Sequence, residues 1–442
     1  MARRTVAVIG GGCSGVLITR ELLRCTDDDV LLIEPGEPGG GLAYGAAQPW
    51  HLLNSRAGAM SADPDDPYHF VRWAGAEPHE FRGRREYGRY LRDVFAQAAA
   101  AHPGRLRVRA ARATALRLAA TGYLVELDRP ADRVPADQVV LATGNPAGAG
   151  PGAGLAEHPD YCADPWRPDA LDAIPLDAPV LLVGTGLTAV DVALTLIADG
   201  RRRAPITAVS RRGQLPLSHT AAAAPPAAPA LDDCATLRDV VRAVRASAAE
   251  AGDWRAVVDG LRPRMDELWV AFTAAEQEAF LRHLARPWEC HRHRMAPSVG
   301  ARIAELRRAG GFEVRAGGLR SVTGAAGGGL RVDFGAERRT FGAVVNCTGP
   351  GRLPGSAGPF IEGLIDAGLA RVGPHGLGLD IDGAGRLVAA GGAVQPRLWL
   401  VGPLRRGARW ETTAVPEIRA QARRLALDLA GSASRAPLLE AA

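Results

Sequence analysis

The sequence predicts an α/β fold of two Rossmann-like domains, with a helical insertion in the second. Three observations support this. A strand-length apolar run, a glycine cluster and an amphipathic helix follow one another over residues 5–23, and the same unit returns at 180–198. Other strand-length runs alternate with helical stretches, the pattern of parallel sheets joined by helical crossovers. The chain has 442 residues, 47% hydrophobic and 23% charged, which is enough apolar material for two or three ordinary domains.

Thr5–Ile9 is a run of β-formers that breaks into glycine. It reads as a buried strand and not as the apolar stretch of a secretion signal. A helix follows to about residue 23, then a second strand over 30–34. Residues 139–142 form a buried-type strand that ends in Thr143-Gly144, and 146–154 are almost all Gly, Pro and Ala, which reads as a linker. Val180–Val183 starts the second strand–glycine–helix unit, whose next strand covers 204–210. The Ala/Pro run at 221–230 reads as a mobile loop. From 237 to 309 the pattern is helical, rich in Arg, Glu and Ala, and lacks turn-and-strand punctuation. An insertion over about 225–309 is therefore expected. Strand patterns return at 312–315, 330–334, 343–346 and 398–401, and a final helix is expected over 416–429.

Composition excludes several chemistries. All 53 basic residues are arginine. Without lysine there is no residue to form an imine with a carbonyl cofactor, and no P-loop lysine. The net charge of +5 comes from arginines spread along the chain, which suits a solvated surface better than a nucleic-acid footprint. The six cysteines are dispersed with no C-x-x-C pair, so neither a disulfide framework nor a zinc site is expected, and a reducing, cytoplasmic setting is. No apolar run approaches the roughly 20 residues of a membrane span. Small molecules, and neither nucleic acid nor membrane, are the expected partners.

The first unit reads VAVIGGGCSG. Gly10, Gly12 and Gly15 fit G-x-G-x-x-G between a strand and a helix. The first glycine permits the tight turn, the second lets backbone approach a pyrophosphate, and the third lets helix and strand pack closely. Cys13 and Ser14 lie in the helix's first turn, where backbone N–H groups face the phosphates. Glu34 closes the second strand, where a carboxylate accepts hydrogen bonds from ribose hydroxyls. The second unit reads VLLVGTGLTAVD. Gly184 and Gly186 are its first two glycines, Ala189 replaces the third, and Leu187 and Thr188 open its helix. The strand after that helix ends in Ser210-Arg211-Arg212. Guanidinium groups there suit a 2′-phosphate, which favours NADPH, with NADH possible.

Two such units of opposite charge preference imply two dinucleotide-binding domains and two dinucleotides, a tightly held FAD and a visiting NADPH. The VVLATG and VVNCTG segments, ending at Gly144 and Gly349, mark passages of the chain between domains. The expected FAD domain is discontinuous, 1–165 and 346–442, and the NADPH domain covers 166–345. LWLVGP then brings Gly402, at another strand end, toward the flavin.

The chain resembles the bacterial FAD-NAD(P)-binding group of two-dinucleotide-binding flavoproteins, distant relatives of the flavin-containing and N-hydroxylating monooxygenases. The resemblance rests on GGGLAYG (39–45), HLLNSRAGAMS (51–61), EYGRYL (86–91), VLATGNP (140–146), DPW (164–166), RPWECHRHRMAP (286–297) and GARWETTAVPEIRAQA (407–422). It implies a cycle in which NADPH reduces FAD, O2 adds at the flavin C4a, and the (hydro)peroxyflavin oxygenates a heteroatom. The expected heteroatom is an amine nitrogen, such as that of an amino acid. It also implies that Asn54 stands beside the flavin as the catalytic amide, next to Leu53. Gly41 would wrap the FAD phosphates or simply form a turn. Trp410 and Thr412 would make a flavin-side turn leading into the last helix, or simply cap that helix. The Baeyer–Villiger fingerprint is not intact, since His158 and Trp166 have the wrong spacing, and the paired cysteines of disulfide reductases are missing. Cys290, His291 and His293 are adjacent on a helix and cannot all face one ion. No metal is expected, and a structural or substrate-side role is. Two other functions fit the same residues: an NAD(P)H-dependent reductase or oxidase without oxygen insertion, and a non-enzymatic flavin-binding redox sensor.

Overall fold

The computed structural model describes residues 3–434, apart from 130 and 223. The chain folds as two compact units. One holds the residues up to Ala47, then Arg56–Pro146, and the chain from Arg352 onward. The other holds Gln48–Ser55 and Ala147–Gly351.

The first unit is built on a six-stranded sheet. Its order is Arg386–Val388, Val394–Leu400, Gln138–Leu141, Thr5–Ile9, Asp29–Ile33 and Leu106–Arg109, with only the first strand antiparallel to its neighbour. Its central strands are buried on both faces, as their unbroken apolar sequences require. On one face Ile9, Ile33, Leu141 and Leu400 pack with Leu116, Tyr123 and Val125 of a three-stranded antiparallel sheet, Ala113–Ala119, Gly122–Leu127 and Arg133–Ala136. Each such aliphatic side chain contributes roughly 1.5–3 kcal/mol when fully buried. Helix Cys13–Cys25 packs along Val415–Ser434 and also touches Arg84–Ala101.

The second unit carries a parallel sheet ordered Phe312–Ala316, Ile206–Ser210, Val180–Val183, Ala343–Asn346 and Tyr161–Cys162. Helix Leu187–Leu196 lies in its core with Ala189 and Val190 fully buried. An antiparallel sheet of Ser321–Gly324, Leu330–Asp333 and Arg338–Phe341 closes the other side around Leu181, Val209 and Val344. Six α-helices, from Leu237–Ala251 to Pro297–Arg308, form the insertion.

Several sequence expectations are revised. Residues 147–165, expected in the first domain, fold with the second unit because Tyr161–Cys162 extends its sheet beside Ala343–Asn346. The chain returns to the first unit after Gly351, because 346–351 stay with the strand that precedes them. The run read as a linker, 146–154, leads straight into Leu155, which is buried with Leu181 and Phe341. Among its described residues the Ala/Pro run has no helix, but it is packed: Ala227 N–H donates to the Ala256 carbonyl, and a Cβ on Gly260 would lie 2.3 Å from the Ala227 carbonyl oxygen.

Candidate functional site: two glycine corners

In the first unit, strand Thr5–Ile9 turns at Gly10, whose φ of +100° favours glycine. A Cβ there would sit 2.6 Å from the Ala142 carbonyl oxygen. Gly15 passes so close beneath the turn that its Cβ would fall 1.8 Å from the Gly10 oxygen. Gly12 caps helix Cys13–Cys25 without a side-chain hydrogen bond, and the first turn holds no acid. The N–H groups of that turn, around Cys13 and Ser14, therefore lack intrahelical acceptors and suit an anion. Gly41 lies against Gly12, since a Cβ on Gly41 would come within 2.9 Å of the Gly12 Cα. Burial pushes the Cys13 thiol up to about 12, so it stays neutral beside the turn.

Glu34 directly follows the neighbouring strand, Asp29–Ile33. Its Oε2 accepts the Gly11 N–H at 2.6 Å and its Oε1 accepts the Gly36 N–H at 2.9 Å. A carboxylate offers about four lone-pair sites, so two bonds leave it able to accept two hydroxyls. Gly402 reaches the same place from the C-terminal segment: a Cβ on it would lie 2.5 Å from Ser14 Oγ, and its N–H donates to Gln421 Oε1 at 2.9 Å. Trp410 and Thr412 are buried, the first with the Arg406 guanidinium 4.3 Å from its ring centroid. The Thr412 hydroxyl points to the Pro403 carbonyl at 3.5 Å, tying that turn to Gly402. Thr143 is exposed and Gly144 follows it with open space where a Cβ would stand.

In the second unit, Gly184 turns with φ +124°, and its Cβ would meet the Cys347 carbonyl oxygen at 2.1 Å. Gly186 caps helix Leu187–Leu196, again with no side-chain cap and no acid in the first turn. Leu187 and Thr188 open that helix, half-buried. Between the glycines, Thr185 Oγ1 lies 2.8 Å from Ser210 Oγ and donates to the Gln214 carbonyl at 2.7 Å. Gly349 lies where the returning chain passes, its carbonyl oxygen 2.8 Å from where a Cβ on Gly148 would be. Asn346 pins that passage: Nδ2 donates to the Gly148 and Ala163 carbonyls at 3.3 and 3.2 Å, and Oδ1 accepts from Thr348.

The structure separates the two arginines that the sequence pairs. The Arg212 Nη1 and Nη2 donate to the His283 and Arg282 carbonyls, both at 3.0 Å, so this side chain anchors the insertion. Arg211 is exposed and makes no hydrogen bond or ion pair among the described residues. Sequence reasoning missed Arg286. Its Nη2 donates to the Thr185 carbonyl at 3.0 Å and Oγ1 at 3.2 Å, and to the Gln214 carbonyl. Only the family-like motif around it could have drawn attention to it.

Leu53 and Asn54 fold with the second unit, against the expected boundary. His51 explains why. Its Nδ1 accepts the Gln48 N–H at 3.1 Å, so the hydrogen lies on Nε2, which faces Thr195 Oγ1 at 2.9 Å and the Asp191 carbonyl at 3.2 Å. The Asn54 carbonyl meets His219 Nε2 at 3.1 Å, while its carboxamide takes no partner among the described residues. His219 is placed in turn by backbone bonds between 217–219 and 290–295. This gives the Cys290–His293 segment a structural task. His291 Nδ1 faces the Pro287 carbonyl at 2.7 Å and its ring meets Trp254 edge-on at 4.7 Å. Among the described residues no group of three His, Cys, Asp or Glu is placed to hold a metal, and no helix is long and apolar enough to cross a membrane.

Residues 7–146 match the family described as FAD-NAD(P)-binding. No curated protein matches the chain in sequence. Among solved structures, the chain is similar to the ornithine N-hydroxylase of Kutzneria sp. 744, at 14% identity and a TM-score of 0.67, covering 98% of this chain and 100% of that one. It is also similar to the cadaverine monooxygenase of Erwinia amylovora, solved bound to FAD, at 14% identity, TM-score 0.68, and 98% and 95% coverage. The thioredoxin reductase of T. acidophilum shares the fold more loosely, at 12% identity and TM-score 0.53, with 98% and 100% covered. The chain thus shares the fold of these two-dinucleotide-binding flavoproteins, and its residues 7–146 match the FAD-NAD(P)-binding family.

Proposed function

We propose that the chain is an FAD-dependent, NADPH-consuming monooxygenase that adds one oxygen atom to an amine nitrogen of a small metabolite, such as an amino acid, in the cytoplasm. The observation that carries the reading is the contrast between the corners: a carboxylate, Glu34, follows the first, and an unengaged guanidinium, Arg211, follows the second. FAD fits the first corner, where a Cβ would fill the cradle at Gly10 and Gly15 and the first-turn N–H groups lack acceptors. The family match over 7–146 and the fold shared with the ornithine and cadaverine enzymes agree with it.

Bound FAD would supply a hydride acceptor and a means of activating O2. The chain's own residues bind and orient. The N–H groups around Gly12–Gly15 hold a pyrophosphate, and Glu34 accepts ribose hydroxyls. Arg211 pairs with a 2′-phosphate. The Asn54 carboxamide, with both its donor and acceptor unclaimed, offers a neutral partner that does not act as an acid.

The test is a screen of amines and amino acids with NADPH and O2, read as product mass. A gain of one oxygen is expected for at least one amine. A protein that stays colourless and refuses flavin on reconstitution would overturn the reading, and NADPH turnover that yields only hydrogen peroxide across the screen would favour a reductase or oxidase.

A further inference from the structure

We propose that Arg286, delivered by the helical insertion, is the counter-charge for the pyrophosphate of the dinucleotide at the second corner; this rests on reading that corner as the NAD(P)H site. Arg286 is on helix Ala285–Arg292, far along the chain from Gly184 and Gly186. Its side chain is half-buried and locked over the turn by Thr185 and Gln214. The lock uses Nη2. Nη1 is left 3.9 Å from Glu289 Oε2, beyond hydrogen-bonding reach.

That end, held only by this loose ion pair, faces Gly186. A Cβ on Gly186 would have Arg286 Nη1 as its nearest neighbour, at 4.0 Å. The Gly186 backbone, at φ −79° and ψ −171°, is one that any residue adopts, so conformation alone does not call for glycine here. Bare backbone at this position instead leaves room for a ligand to approach, and the guanidinium borders that room.

The charge balance points the same way. A helix N-terminus offers roughly half a positive charge, against about two negative charges on a pyrophosphate. Arg212 is committed to the Arg282 and His283 carbonyls. Arg211, at the end of the next strand, is placed for the ribose end instead. Arg286 fills the remaining deficit with a planar fork suited to phosphate oxygens. Because the pyrophosphate is common to NADPH and NADH, Arg286 contributes affinity without choosing between them, whereas Arg211 chooses.

The experiment uses the FAD-loaded full chain and titrates three probes: NADP+, NAD+ and adenosine 2′-monophosphate, which has the 2′-phosphate but no phosphate at the 5′ position. Arg286→Gln should weaken NADP+ and NAD+ by the same factor, about tenfold or more, and leave the monophosphate within about twofold. Arg286→Lys, which keeps charge but loses the fork, should fall between the unaltered protein and Arg286→Gln. Unchanged dinucleotide binding in a folded Arg286→Gln protein would overturn the proposal, as would an equal loss for the monophosphate, which would mark Arg286 as a structural staple. Should Arg286→Gln not fold, Arg286→Lys decides by the same comparison. If the unaltered protein binds none of the three probes, the reading of the corner itself fails, which is a different result from failure of the Arg286 role.

Discussion

The two arginines at 211 and 212 allow a sharp test of cofactor choice. Arg211 is exposed and unengaged, while the Arg212 fork is held by two carbonyls of the insertion. Charge-assisted hydrogen bonds contribute roughly 1.5–3 kcal/mol each where they are shielded. Arg211 is exposed, so water and salt reduce that, and a net loss near 1.4 kcal/mol is a sound expectation, or about tenfold in affinity. Arg211→Ala should raise the KM for NADPH about tenfold while changing that for NADH less than about twofold. Arg212→Ala should leave the NADPH-to-NADH ratio alone, and its two exposed bonds should cost stability only about 0.5–1 kcal/mol. Rapid-mixing measurement of flavin reduction at varied NADPH and NADH gives both ratios, and thermal unfolding gives the stability. The reasoning fails if Arg212→Ala shifts the cofactor ratio as much as Arg211→Ala, or if Arg211→Ala weakens both cofactors alike.

Gly10→Ala must place a Cβ 2.6 Å from the Ala142 oxygen at φ +100°. It should destabilise the protein on the order of 2–5 kcal/mol and strip bound flavin, read by unfolding and by visible absorbance. Asn54→Ala should keep flavin content and stability but send a larger share of NADPH electrons to hydrogen peroxide, scored by a peroxide assay; unchanged coupling would refute the Asn54 role. Burial holds the His69 imidazole below its ordinary value, beside the Tyr90 hydroxyl at 2.7 Å. The unfolded chain then binds the proton more readily, so stability should fall as pH drops below about 6.5 toward the depressed folded value. His69→Gln should flatten that slope in unfolding curves taken across the range, and parallel curves for the two proteins would refute it.

Local patterns made the corners legible. A strand, glycines at fixed spacing and an amphipathic helix are all written within about twenty residues, and Thr5–Ile9, Val180–Val183 and Ala343–Asn346 have the bounds their apolar runs suggest. The antiparallel sheet at 113–136 escaped, because Ala, which is depleted in strands, fills three of the seven positions of its first strand. Leu106–Arg109 is a sheet edge whose last three residues are exposed, with no apolar run to mark it. Arg286 and His51 escaped for a different reason. Their partners lie 101 and 144 residues away, and no short-range period encodes such a meeting. Arg211 and Arg212 look equivalent in sequence, and only the carbonyls of the insertion tell them apart.

The placement of residues 48–55 and of strand Val394–Leu400 bears on how the chain matures as it is made. The ribosome releases His51 long before helix Leu187–Leu196 emerges to receive it, and strand Gln138–Leu141 waits for almost the rest of translation before Leu398–Leu400 pairs beside it. The first unit cannot finish before the second has been synthesised, because its last segment begins only at Arg352. Chains truncated before Val394 should therefore leave the first sheet incomplete and prone to aggregate.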